Sequence, residues 1–222
     1  DYWGYNSEHQ FLASRGYAVV SMNFRGSLGY GRNHVKMANG QWGRKMQDDV
    51  TDSVTWAVEQ GIADPENVCI YGASYGGYAV MAGITKTPDL YKCAVNYVGV
   101  TDMGLLFSKT PKVWEIWEEQ QKIEIGDYDN DKDYLDAVSP INLVDRIETP
   151  LYIVHGVRDW RVPIQHAQKL RRELERNGKK EGEDFWWLVK GDEGHGFYKE
   201  ANKIELYTEL ENFFGRYLKQ DS

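Results

Sequence analysis

Short apolar runs alternate with amphipathic stretches along most of this chain, and that alternation constrains the fold more than any other feature. Asn6 or Ser7 can cap a helix that runs to Ser14 and closes at Gly16. Residues 17–24 (YAVVSMNF) read as a buried strand. Residues 47–60 set Val50, Val54, Ala57 and Val58 on one helical face and stop at Gly61. Residues 67–71 read as a second strand. Residues 75–86, apolar nearly all round, read as a buried helix. Further strands are expected at 93–98, 151–155 and 185–189. Ile164, Ala167, Leu170 and Leu174 mark a helix before Gly178, and 204–218 a last one. This spacing predicts an α/β fold: a mostly parallel sheet with helices on both faces. The stretch 101–148 holds Trp114, Trp117 and several acids without a clear strand. It reads as helices and loops inserted over one end of the sheet. Trp114 and Trp117 fit either a self-association surface, and so a homo-oligomer, or a pocket mouth or core.

Composition narrows the function. With 222 residues, 41% hydrophobic and 27% charged, one α/β domain fits, and disordered, collagen-like and coiled-coil chains are excluded. The net charge is −8 with no Lys/Arg block, so nucleic acid is not an expected partner. No apolar run approaches the length of a membrane span, so neither is a membrane. There is no H-E-x-x-H pair, and Cys69 and Cys93 are not at zinc spacing, so no metal or other cofactor is expected. Both cysteines lie in apolar stretches and read as buried free thiols. The chain opens at Asp1 without a charged-then-apolar leader and reads as a piece of something longer. The compartment, cytoplasm or periplasm, is left open.

In parallel crossover sheets, ligand sites gather at the carboxyl ends of the strands. Gly72-Ala73-Ser74-Tyr75-Gly76 stands at one such end. It is G-x-S-x-G between a strand and a helix, where small flanking residues permit a sharp turn that lifts the serine hydroxyl above the sheet. The helix beginning there aims its free N–H groups and positive dipole end at the same spot, and the Tyr75 N–H would stabilise an oxyanion. A serine nucleophile needs a base. His9, His34, His155 and His166 sit in helices, at a strand end or in a polar loop, and read as structural. His195 lies in Gly191-Asp192-Glu193-Gly194-His195-Gly196-Phe197, a glycine-flanked loop after the last strand. For the acid, Asp159 follows the strand ending at His155. Asp192, three residues from His195, and Asp145, at the wrong end of a strand, are its rivals. The chain order Ser74, Asp159, His195 is the α/β-hydrolase order.

These motifs resemble the catalytic domain of the prolyl oligopeptidase family of serine peptidases, in its acylaminoacyl-peptidase and dipeptidyl-peptidase-like branch. Residues 1–32, YGASYGGYA (71–79), HGVRDWRVP (155–163) and EGHGF (193–197) carry the resemblance. It implies Ser74 as nucleophile, Asp159 as acid, His195 as base and a short-peptide substrate. It also implies a substrate pocket at Tyr75, Val100, Met103, Leu106 and Val162, whose apolar character favours a hydrophobic P1 side chain; Val100 and Leu106 equally fit a plain core. Arg25 is a further candidate to face the site. The family places an oxyanion donor in an upstream H-G-G-P loop, a strand between 17–24 and 67–71, and an N-terminal β-propeller. None of these is in the sequence. Residues 1–222 are therefore expected to form one catalytic domain from the C-terminal part of a longer chain, with the first strands of the sheet missing. A carboxylesterase using the same three residues on small esters is the alternative activity.

Overall fold

A computed structural model describes residues 4–109 and 116–218. Trp114 lies outside them. Four strands make one parallel sheet in the order β1-β2-β3-β4: β1 (Cys69–Ala73), β2 (Cys93–Tyr97), β3 (Leu151–Gly156) and β4 (Phe185–Lys190). β2 and β3 are buried at every position, as the inner strands of a doubly covered sheet should be.

Alternate strand residues serve two cores. Ala94, Leu151, Ile153 and Phe185 pack with Met81 and Ile84 of α4 (Tyr75–Lys86) and Leu170 and Leu174 of α8 (Gln165–Arg176). Val95, Tyr152, Val154 and Leu188 pack with Leu206, Leu210, Phe213 and Phe214 of α9 (Glu200–Tyr217). Leu12 of α1 (Ser7–Ala13) joins the second core. Asn6 caps α1 as expected, its side chain accepting the Glu8 and His9 N–H groups at 2.9 and 3.0 Å. α2 (Arg32–Lys36) and α3 (Lys45–Glu59) precede β1. The insertion after β2 carries α5 (Met103–Ser108), α6 (Glu118–Glu124), α7 (Lys132–Ala137) and a 3-10 turn at Pro140–Arg146. Trp117 is 58% exposed there.

Two expectations are corrected. Residues 17–24 form no strand, and Val19 and Val20 are 38% and 46% exposed. A strand needs a hydrogen-bonding neighbour, and no ladder among the described residues includes this stretch. Residues 20–25 instead line an open groove of about 510 Å³ against α3, with Trp56 and Met37 on its walls. The cysteines are not free thiols. Cys69 and Cys93 stand opposite one another in the β1–β2 register, with Cα atoms 4.7 Å apart, and are joined as a disulfide.

Candidate active site

Ser74 occupies the turn between β1 and α4 with φ 58° and ψ −117°, the left-handed side that side chains rarely adopt. The turn is tight because strand and helix nearly touch: a Cβ on Gly72 would lie 2.5 Å from the Gly76 backbone. The Ser74 N–H donates to the Tyr97 carbonyl at 3.0 Å, fixing the turn to the end of β2. Tyr75 opens α4, where first-turn N–H groups have no intrahelical acceptor.

Asp159 sits in the loop after β3. Its Oδ1 accepts the Arg161 and Val162 N–H groups, both at 2.9 Å, and its side chain is fully enclosed. Its Oδ2 lies 2.7 Å from His195 Nδ1. A carboxylate only accepts, so Nδ1 carries the proton and Nε2 is left as an acceptor. Nε2 is 2.9 Å from the Ser74 hydroxyl, which donates to it. Three loops from three strand ends therefore meet in one relay. The rival acids are elsewhere: Asp192 pairs with Lys199 at 2.6 Å, and Asp145 is exposed in the 3-10 turn.

The loops of Asp159 and His195 are fastened to each other. The Arg158 N–H donates to the Glu193 carbonyl at 2.8 Å. A Cβ on Gly156 would lie 2.2 Å from the Gly194 oxygen, so only glycine permits this approach. Buried Glu193 accepts the Tyr198 and Lys199 N–H groups at 3.0 and 2.9 Å and Asn202 Nδ2 at 2.7 Å, tying the loop to the start of α9. His155, 1% exposed, donates from Nε2 to the Val162 carbonyl at 2.8 Å and closes the acid's loop. Burial pushes its imidazole below the usual range, against the raising influence of the Val162 carbonyl and Asp159. His166 is fully buried and accepts the Thr101 N–H at 3.2 Å. Both histidines are buried and hydrogen-bonded to neighbouring backbone.

The five residues named for a pocket come together. Val100, Met103 and Val162 are buried in one apolar cluster, with Leu106 and Tyr75 packed against it. Trp42 lies across Tyr75 at 4.6 Å between ring centroids and Phe24 at 5.3 Å, contacts that no local pattern signals. Arg25 is not among the residues of this cluster. It is locked to Asp49 of α3 by two side-chain contacts of 2.7 and 2.6 Å, which with the 2.9 Å bond from its own N–H consume both carboxylate oxygens.

A parallel sheet that brings a serine, an acid and a histidine in that chain order to its carboxyl edge is the α/β-hydrolase arrangement. Solved structures share the fold. A puromycin-hydrolyzing peptidase of Mycobacterium tuberculosis superposes with a TM-score of 0.82 and 27% identity, over 90% of this chain and 29% of that one. The Pyrococcus horikoshii acylaminoacyl peptidase gives a TM-score of 0.86 at 24% identity, over 98% of this chain and 35% of that one. The chain belongs to the prolyl oligopeptidase family, whose sequence model matches residues 3–221. Among curated relatives, dipeptidyl aminopeptidase BIII of Pseudoxanthomonas mexicana is 38% identical over 98% of this chain and 31% of its own length. Dipeptidyl peptidase family member 6 of Caenorhabditis elegans is 34% identical over 96% of this chain and 29% of its own length. The chain thus spans less than a third of the length of these relatives.

Proposed function

We propose that this chain is the catalytic domain of a serine peptidase that cleaves short peptides through an acyl-enzyme, with a hydrophobic residue preferred on the acyl side of the cut bond. The relay from Asp159 through His195 to Ser74, at 2.7 and 2.9 Å, carries the reading. In this mechanism His195 Nε2 takes the Ser74 proton as Oγ attacks the peptide carbonyl carbon. Asp159 holds the imidazole tautomer and stabilises the imidazolium. The Tyr75 N–H, at the positive end of α4, receives the oxyanion. The intermediate collapses as Nε2 returns its proton to the leaving amine. Water then attacks the ester by the same route and frees Ser74. The Val100, Met103, Leu106 and Val162 cluster beside Tyr75 supplies the apolar wall for the substrate side chain. The names of two relatives, a dipeptidyl aminopeptidase and an acylaminoacyl peptidase, both fit a chemistry confined to peptide ends. As part of the same reading, residues 1–222 are one catalytic domain, with a propeller and a second oxyanion donor supplied by a longer chain.

The test uses the full-length protein. A fluorophosphonate probe should label the wild type and not Ser74→Ala. Turnover of acylated and free-amino-terminal peptide chromogens should fall by on the order of 10⁶ in that variant. Labelling that persists in Ser74→Ala, or turnover of short-chain esters without peptides, would overturn the proposal.

A further inference from the structure

Tyr97 is the last residue of β2 and is only 8% exposed. Its two polar ends serve two different loops. Its carbonyl accepts the Ser74 N–H at 3.0 Å. Its phenolic oxygen accepts the Phe197 N–H, two residues beyond His195. The Tyr97 ring also meets Phe197 edge-on, with centroids 5.4 Å apart. A Cβ on the intervening Gly196 would stand 3.7 Å from the same phenolic oxygen, so the loop passes directly over it. Apart from His195 itself, Tyr97 is the one described residue that hydrogen-bonds both to Ser74 and to the loop of His195.

The geometry points to Tyr97 as a positioning residue that sets the distance between the Ser74 hydroxyl and the His195 imidazole. The inference rests on the roles of Ser74 and His195 proposed above. Its physical basis is the loop's other fastenings. Glu193 ties the loop to α9 and to the Asp159 loop, and Asp159 ties the ring itself. None of these bonds reaches the Ser74 turn. Among the described residues, and apart from the His195–Ser74 contact itself, the Phe197 bond to Tyr97 is the one that links the loop to the residue holding Ser74. Burial raises the Tyr97 phenol well above its usual range, so it stays neutral and its acceptor oxygen works the same way at every working pH. A displacement of about 1 Å between reacting groups costs up to about 10²-fold in rate, so a strut of this kind acts on turnover rather than on substrate affinity.

Tyr97→Phe deletes one oxygen, keeps the ring contact with Phe197 and leaves the carbonyl bond to Ser74 in place. In the full-length protein it should lower kcat and the fluorophosphonate labelling rate together by about 10-fold or more, with KM within about twofold. The melting midpoint should move by only about 2–4 °C. Hydrogen exchange gives a second reading: the Phe197 amide should be protected in the wild type and exposed in the variant, while the Ser74 amide stays protected in both. A kcat and labelling rate within twofold of the wild type, a loss confined to KM, or an unprotected Phe197 amide in the wild type would overturn the role. Labelling that survives in Ser74→Ala would instead remove the mechanism beneath it.

Discussion

Ser74 is held in a backbone conformation that costs of order 1–3 kcal/mol, and the structure around it leaves no cheaper choice. The 2.5 Å approach at Gly72 and the bond to Tyr97 fix the turn from both sides. Asp159 is held as firmly, by two backbone N–H groups on Oδ1, which leaves Oδ2 to accept from His195. Asp159→Asn should therefore keep its loop closed but offer His195 the wrong tautomer. We expect kcat to fall by about 10⁴ with a normal melting curve; a fall of less than tenfold would move the acid elsewhere. The relay was legible because each member follows a strand end, in the chain order serine, acid, histidine, with Ser74 in G-x-S-x-G and His195 between two glycines. Tyr97, Glu193 and the Arg25–Asp49 pair were not legible. In a strand Tyr97 reads as plain core, and nothing in the sequence ties Arg25 to its partner, 24 positions away. Val98 has φ 47° although Gly99 is adjacent to take that strain, and no sequence signal marks it.

At the level of elements, helices were read well because their apolar periodicity is local. α4 has the expected bounds, and the apolar face of α8 is buried as predicted. The segment 17–24 shows the limit of that reasoning. An apolar run predicts a strand only if a neighbour accepts its hydrogen bonds, and among the described residues none does. The disulfide was missed for a similar reason, since the pairing of Cys69 with Cys93 is a property of strand register. Register also explains the close contact between the loops after β3 and β4. Gly156→Ala would place a Cβ 2.2 Å from the Gly194 oxygen and 2.6 Å from the Glu193 backbone, so the loops must part. The expected outcome is a loss of about 1–3 kcal/mol in urea unfolding and a larger, roughly 10²-fold, loss of labelling rate. Wild-type labelling in a folded Gly156→Ala would show that the contact does not set the site.

The molecule as a whole should be acid-sensitive. Burial lowers His166 from its ordinary value of 6.5 to about 4, the Asp102 and Asp159 charges opposing that shift. In the unfolded chain this imidazole takes up its proton near pH 6.5. Between pH 6.5 and about 4 the unfolded state therefore binds more protons, and stability falls as the pH drops through that window. The loss from His166 should reach about 3 kcal/mol, with His155 adding in the same direction. Urea unfolding at pH 7.5 and 4.5 should show the difference, and His166→Asn, which keeps an acceptor for Thr101, should shrink it. Equal stability at the two pH values would contradict it. The relay has one more consequence. His195 is separated from Asp159 by 36 positions and from Ser74 by 121, so no short segment holds even two of the three groups. During folding, helices close over a few residues, while these loops close only once β1, β3 and β4 have found their places. Assembly of the relay is thus a late event in the chain's history. Under the proposed function, a molecule still on its way to the native sheet would carry all three groups without the relay, a delay that would shield the newly made chain and its neighbours from its own chemistry.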